Sequence, residues 1–231
     1  MGCVTTMDDK QLTKLLSFFT MGDGGVYQAK SSFYFAMNMK EENMDYILWA
    51  KETIEEITST KLYERKVETP RKPQVRLQSR THPIFQTLRE RIYIDSYKSI
   101  DPHSLKMLDW EALAILYMCD GSLSAKQPTV ENRLINPSYT LTLNLKRLSY
   151  GDQLLLKQSI RDRLGIEFNV QRQNQYFYLR LRNKDLDKFE MNIRAFIKPS
   201  FLYKLRTIGP SIEGGDIVCS TQRCVEANRN D

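Results

Sequence analysis

Two aspartates, Asp23 and Asp120, each close an apolar run in the same local setting, and each is followed by glycine. The runs are Leu16-Ser-Phe-Phe-Thr-Met-Gly-Asp23-Gly24 and Leu113-Ala-Ile-Leu-Tyr-Met-Cys-Asp120-Gly121. Small residues hold the same two places in both: Ser17 and Gly22 in the first, Ala114 and Cys119 in the second. A helix C-capped at Gly24 or Gly121 would account for the glycines but leaves the aspartates unexplained. A carboxylate at a helix C-terminus opposes the helix dipole and is costly unless a cation neutralises it. Two such helices side by side would bring two carboxylates to one polar site, where divalent ions could offset the charge. The spacing therefore predicts a metal-dependent enzyme with two related halves.

Those halves can be traced outward from the aspartates. Phe35-Ala-Met-Asn38-Met-Lys40 matches Leu141-Thr-Leu-Asn144-Leu-Lys146. The aspartates are 97 residues apart and the asparagines 106, so nine residues are inserted in the second copy, within Gln127–Ser138 beside Pro128 and Pro137. Self-similarity found twice in the same order argues for an internal duplication. In each copy an apolar helix comes first, about Lys10–Gly22 and about Trp110–Cys119, with Asp9 and Asp109 as expected N-caps. Two strands follow, about Val26–Lys30 with Phe33–Lys40, and about Ser122–Lys126 with Tyr139–Lys146. A helix buries Ile47, Ala50, Ile54 and Ile57 in the first copy, and Leu156, Ile160 and Leu164 in the second. Two more strands lie near Lys61–Val67 and Val75–Arg80, and near Ile166–Arg172 and Tyr176–Arg182. A last helix carries Phe85, Leu88 and Ile92, then Leu186, Phe189, Ile193 and Ile197. The order is αββαββα, twice, an α+β protein. Residues 1–94 form the first unit, 95–108 a linker and 109–205 the second unit. Residues 206–231, with three glycines and a proline, form a loosely ordered tail.

The bulk numbers bound the function. The 231 residues are 41% apolar and 27% charged, which suits a soluble globular chain with a substantial core. The longest apolar run, Ala112–Cys119, is too short to span a bilayer, and Met1–Lys10 lacks the apolar core of a secretory signal, so an intracellular protein without membrane contact is expected. Four cysteines without a CxxC pair and only two histidines, His82 and His103, argue against a structural zinc site or a histidine-based nucleophilic triad. The net charge of +6 is compatible with a polyanionic partner, and nine Lys/Arg stand against three Glu between Lys61 and Arg91.

Strict alternation in the strands means a sheet with one buried and one wet face. Phe33, Phe35, Met37 and Met39 oppose Tyr34, Ala36, Asn38 and Lys40, while Tyr139, Leu141, Leu143 and Leu145 oppose Thr140, Thr142, Asn144 and Lys146. Val75 and Leu77 oppose Arg76, Gln78 and Arg80; Phe177, Leu179 and Leu181 oppose Tyr178, Arg180 and Arg182. The wet face is rich in Asn, Gln, Arg, Lys and Tyr and nearly free of acid, Glu167 excepted. These side chains hydrogen-bond base edges and phosphates, and an antiparallel sheet carrying them could lie in a DNA groove.

On these residues the chain resembles a monomeric, two-motif LAGLIDADG homing endonuclease over about residues 10–205. The nine-residue motif falls on Leu16–Gly24 and Leu113–Gly121, its acidic eighth position on Asp23 and Asp120. Ile197-Lys-Pro-Ser-Phe-Leu-Tyr-Lys-Leu205 is similar to the family's closing segment. Phe18 and Ile115 depart from the motif by replacing its third-position glycine, so the helices are expected to cross slightly farther apart there. The resemblance implies two pseudo-symmetric units forming an antiparallel β-saddle over double-stranded DNA. It implies that Asp23 and Asp120 each bind Mg²⁺, with two or three divalent ions in all, helped by backbone carbonyls near Gly22 and Cys119. Each site would cut one strand across the minor groove, leaving short 3′ overhangs.

The resemblance also places an amide and a basic residue around the attacking water. Asn38 and Asn144 stand where the amide is expected, although both also read as ordinary polar residues of a sheet face. Arg80 and Arg182 are the choices for the basic residue, with His82 and Lys184 competing. Base and phosphate contacts are expected from Tyr34, Lys40, Arg76, Gln78, Ser124, Lys126 and Thr140, and from Thr142, Lys146, Gln171, Arg172, Tyr178 and Arg180. The units differ at most of these positions, so the expected target is asymmetric. Two alternatives stay open: a maturase that assists splicing of its own intron RNA, and a catalytically silent DNA-binding regulator. Retention of both aspartates favours cleavage.

Overall fold

The computed structural model describes residues 7–65, 73–126, 129–130, 133–134 and 138–206. In chain order the elements are α1 (Asp9–Met21), β1 (Gly24–Ala29), β2 (Ser32–Lys40), α2 (Met44–Glu55), β3 (Thr60–Arg65), β4 (Gln74–Ser79) and α3 (Pro83–Ile92). A short hairpin follows, β5 (Tyr93–Ile94) and β6 (Tyr97–Lys98), then the single turn α4 (Pro102–Leu105). The second copy comprises α5 (Trp110–Asp120), β7 (Gly121–Lys126), β8 (Thr129–Val130), β9 (Arg133–Leu134), β10 (Ser138–Leu143), α6 (Tyr150–Leu164), β11 (Phe168–Gln173), β12 (Tyr176–Leu181) and α7 (Leu186–Ile193). Apart from the two small hairpins and α4, the order αββαββα runs twice. The tail expected over 206–231 lies, beyond Arg206, outside the described residues.

Each copy builds one four-stranded antiparallel sheet, in the orders β1-β2-β4-β3 and β11-β12-β10-β7. The registers correspond: Gly24 pairs with Met37 and Met37 with Leu77, while Gly121 pairs with Leu143 and Leu143 with Leu179. The alternating apolar residues are why the sheets have one covered face. Phe35, Met37, Val75, Leu77, Leu141, Leu143, Leu179 and Leu181 are all buried under the helices. Ala36, on the outward side of the alternation, is buried as well. It sits opposite Gly25, where the Tyr27 ring folds over the backbone. The helical stripes bury Ile47, Ala50, Ile54, Phe85, Leu88 and Ile92, and Leu156, Ile160, Leu164, Leu186, Phe189 and Ile193; of the other two expected members, Ile57 lies beyond α2 and is half-buried, and Ile197 is buried but lies beyond α7.

The helices α1 and α5 pack against each other at the centre of the molecule. α5 is apolar nearly all round and buried from Ala112 to Met118, while α1 begins with polar residues and is buried from Lys14 to Met21; Phe18 and Ile115, at the motif's third position, are both fully buried. The N-cap of α1 is Asp8, whose carboxylate accepts the Gln11 N–H, rather than Asp9; Asp109 caps α5 by accepting the Ala112 N–H. At this end the helices are tied by charge. Lys14 Nζ, on a side chain only 9% exposed, reaches Asp109 at 2.6 Å and Glu111 at 2.8 Å. Segment 95–108 is more structured than a bare linker, since it holds the turn and second strand of the β5–β6 hairpin and α4, with Asp101 capping α4 through the His103 and Ser104 N–H groups.

Candidate active site

The opposite ends of α1 and α5 approach so closely that side-chain volume there is restricted. A Cβ on Gly22 would lie 2.6 Å from Cys119 Sγ, so only glycine fits against the cysteine. Cys119 Sγ also accepts the Asp23 N–H at 3.3 Å and contacts the Tyr46 hydroxyl at 3.1 Å. Burial, Tyr46's neighbour effects aside, pushes both groups toward their neutral forms, and the Asp23 charge beside Cys119 adds to the effect. Of the two C-caps read in sequence, Gly121 does cap α5, in extended backbone (φ −82°, ψ 151°) with its N–H donating to Tyr117 O, whereas the cap of α1 is Gly22 rather than Gly24. A Cβ would meet Phe19 O at 2.7 Å from Gly24 and Tyr117 O at 2.4 Å from Gly121. The glycines let each strand leave the helix tip by folding back against its last turn.

The carbonyls exposed by those last turns are met by two lysines. Lys98, at the end of β6, donates to Gly22 O at 2.5 Å and Gly24 O at 2.6 Å. Lys204 donates to Met118 O at 2.6 Å and Tyr117 O at 3.4 Å. Both complement the negative helix termini. Each is followed or preceded by a segment that crosses to the other copy. Asp152 of α6 accepts the Ile100 N–H and the Ser99 hydroxyl, at 3.0 and 2.8 Å, while Asp45 of α2 accepts the Ser200 N–H and hydroxyl, at 2.9 and 2.5 Å.

Asp23 and Asp120 line one cavity of about 250 Å³ together with Lys98, Asn144, Lys146 and Arg147. Asp23 is exposed and Asp120 half-buried. Burial first, and the Asp23 charge second, raise the Asp120 carboxyl from 3.8 to about 6, against the opposing pull of Lys98, Lys204 and Arg147. Burial lowers the Lys98 ammonium from 10.5 to about 8. Two mutually repelling carboxylates among cations form an oxygen-donor site suited to a hard divalent ion.

The other sequence-predicted residues fall into groups. Asn144 donates to Thr142 Oγ1 at 3.1 Å and Ser122 Oγ at 3.3 Å, on the rim of the carboxylate cavity. Asn38, opposite Arg76, has a buried Oδ1 that accepts no hydrogen bond from the described residues. Tyr34, Gln78 and Arg80 share a groove of about 800 Å³ on the first sheet, and Tyr34 stacks on Tyr27 with ring centroids 5.7 Å apart. On the second sheet Arg180 donates to Thr140, Tyr178 to Gln171 and Arg172 to Asn174 O, while Ser122 and Thr142 bond each other at 2.8 Å. Ser124 and Lys126 are exposed. Lys40 pairs with Glu42 at 3.4 Å, and Arg182 with Glu167. Arg80 and Arg182 are not among the residues of the carboxylate cavity; His82 caps α3 through the Ile84 N–H, and Lys184 is exposed. The cations that do line it are Lys98, Lys146 and Arg147, and Lys204 acts on Asp120 through its charge; sequence named Lys146 as a DNA contact and missed the other three. Tyr97-Lys98 and Tyr203-Lys204 recur at the same 106-residue spacing as the asparagines, a signal that could have found both lysines.

A sequence model of the LAGLIDADG DNA endonuclease family matches residues 19–189. The chain belongs to this family. An uncharacterised Methanocaldococcus jannaschii protein, MJ1098, is 32% identical over 133 residues, 57% of this chain and 48% of its own length. A protein RecA of Mycolicibacterium flavescens is 26% identical over 230 residues, 96% of this chain and 52% of its own length. The chain thus spans about half the length of these curated relatives. Among solved structures, the homing endonuclease I-WcaI bound to its DNA recognition sequence superposes with TM-score 0.67 at 22% identity, covering 87% of this chain and 88% of that one. Mesophilic variants of the homing endonuclease I-DmoI give 0.52 at 14% identity, covering 80% and 96%. I-DmoI in complex with DNA and Ca gives 0.50 at 14% identity, covering 80% and 89%. These likenesses establish the two-motif LAGLIDADG fold. No helix among the described residues is long and apolar enough to cross a membrane.

Proposed function

We propose that this chain is a site-specific endonuclease that hydrolyses both strands of double-stranded DNA at a long, asymmetric target, with Mg²⁺, leaving short 3′ overhangs. One observation carries the reading: Asp23 and Asp120, delivered by neighbouring helix tips, line a single cavity with Lys98, Asn144, Lys146 and Arg147. The site fits the metal the family implies. Its donors are carboxylate and carbonyl oxygens, and its one thiol, on Cys119, is held protonated by burial. Asp23 and Asp120 would hold the ions, with the Gly22 and Cys119 carbonyls as further donors; the Gly22 carbonyl keeps one lone pair beside its bond from Lys98. Bound there, divalent ions would activate water and neutralise charge developing at phosphorus.

The protein's own groups supply the rest. Lys146 and Arg147, which line the same cavity, would hold a phosphate of the strand being cut. Asn144, and Asn38 through its orphaned Oδ1, offer amides to position water. Lys98 and Lys204 fix the helix tips and moderate the carboxylate repulsion. One chain holds both halves, so it acts as a monomer, inside the cell where genomic DNA lies. The sheets read different half-sites, since Tyr27 and Tyr34 occupy on one the register positions that Ser124 and Thr140 occupy on the other. The I-DmoI complex with DNA and Ca supports the same metal class and partner.

The test is cleavage of a randomised plasmid library with Mg²⁺ by the chain and by Asp23→Asn, Asp120→Asn and the double variant. Strand-specific nicking by each single variant and silence of the double one are expected. Equal activity in all four proteins would reject the mechanism.

A further inference from the structure

Beside the carboxylate cavity lies a second recess, of about 610 Å³, and the two share Lys98, Lys146 and Arg147. Its walls carry four tyrosines brought from three parts of the chain: Tyr27 of β1, Tyr93 and Tyr97 of the β5–β6 hairpin, and Tyr176 of β12. Arg89 of α3 adds another cation, its guanidinium 3.9 Å above the Tyr93 ring. Tyr93 is pinned further by the Val26 N–H, which donates to its hydroxyl. The other three rings are open to solvent: Tyr97 is 77% exposed, Tyr27 46% and Tyr176 43%. The backbone that carries Tyr97 is nevertheless anchored. Asp95 and Ser96, with φ of 46° and 71°, turn the two-residue hairpin that carries it, and the adjacent Lys98 is anchored on α1.

Aromatic faces interleaved with cations are the chemistry that holds an unpaired nucleic-acid strand, with bases stacking and phosphates paired. The recess is the size of a small-ligand pocket, roughly 300–1,000 Å³, and cannot admit a base-paired helix whose major groove alone is about 12 Å wide. We propose that it binds an unpaired segment of DNA, with bases on Tyr27, Tyr97 and Tyr176 and phosphates toward Arg89, Lys146 and Arg147. The proposal rests on the endonuclease reading, because a staggered cut at Asp23 and Asp120 frees unpaired ends at the mouth of the recess. A strand unstacked before cutting would present the same chemistry.

Fluorescence anisotropy of the full chain in Ca²⁺ separates these sources, using labelled duplexes that are blunt, 3′-overhanging or internally mismatched. Tighter binding of the overhanging or the mismatched probe than of the blunt one is expected, the arm that shows it identifying the source. In the double variant Tyr97→Ala, Tyr176→Ala that preference should fall by about 5- to 150-fold, the scale of lost base stacking. Blunt-duplex affinity should stay unchanged, and Tyr97→Phe with Tyr176→Phe should retain the preference. Equal affinity of the unaltered chain for all three probes, or a preference that survives the alanines, overturns the proposal. Library cleavage with no probe preference would overturn the recess alone; tyrosine-dependent strand binding without cleavage would overturn the endonuclease reading alone.

Discussion

Replacing Asp120 by Asn should stabilise the protein and, on the proposed function, abolish cleavage of one strand. The carboxyl is raised from 3.8 to about 6, so ionising it in the fold is disfavoured by about two pH units, or about 3 kcal/mol at roughly 1.4 kcal/mol each. Solvent reaching a half-buried group makes that figure a ceiling. The sign follows from the proton count. Between pH 4 and 6 the folded state holds more protons than the unfolded state, so stability falls as pH rises through this window. The penalty is complete above about pH 6 and absent below 3.8, where both states are protonated. Asn carries no charge and escapes it. At 2–4 °C per kcal/mol for a chain this size, Asp120→Asn should melt about 4–10 °C above the unaltered protein at pH 7 in EDTA. Near pH 4 the two should melt together. Mg²⁺ or Ca²⁺ should close the gap at pH 7 by stabilising only the protein that keeps both carboxylates. Differential scanning calorimetry at the two pH values decides the matter. A variant no more stable at pH 7, or equally stabilised at pH 4, would refute the account of a strained carboxylate pair.

Three further outcomes follow from the geometry. Gly22→Ala forces a Cβ within 2.6 Å of Cys119 Sγ and should cost about 1–3 kcal/mol in a urea melt; in a Cys119→Ala background that cost should shrink measurably, whereas simple additivity would show that the two residues do not share the contact. Lys98 should titrate near pH 8 by NMR, and because its folded value lies below 10.5, stability should rise between about pH 8 and 10.5 as the folded state sheds the proton first; a midpoint above 10 contradicts the burial on which this rests. Ser96→Gly relieves a left-handed residue with φ of 71° in the β5–β6 turn and should gain about 1 kcal/mol in thermal unfolding, while a loss would mean that the serine side chain stabilises the turn.

What could be read from residues alone divides along physical lines. Alternation in β2, β4, β10 and β12 and the stripes of α2, α3, α6 and α7 record burial, which is periodic along the chain. These elements were therefore legible, as was the pairing of Asp23 with Asp120 through the doubled apolar runs. The surroundings of the carboxylates were harder. Arg80 and Arg182 continue the wet-face alternation, so sequence favoured them, yet each stands three residues past the one in register with the helix tip, Leu77 or Leu179, and does not line the cavity. Lys98 and Lys204 lie in no periodic element: one ends a two-residue strand and the other a 3₁₀ turn. Their placement depends on segments that cross between the copies through Asp152 and Asp45, contacts with no local pattern.

The same central helix pair explains why the carboxylates must stand close together. At one end Lys14 binds Asp109 and Glu111, which fixes α1 against α5 in one pairing, because two copies of α5 would oppose acid to acid. At the other end Gly22 against Cys119 sets the approach of the backbones, and the glycines after each aspartate fold the strands back from the tips. With both ends fixed, the helices cannot splay to relieve the repulsion between Asp23 and Asp120. Lys98 and Lys204 are already engaged with helix carbonyls and neutralise it only in part, since Asp120 remains raised despite them. The residual strain is intrinsic to the packing, and a divalent cation held by the two carboxylates is the species that would remove it.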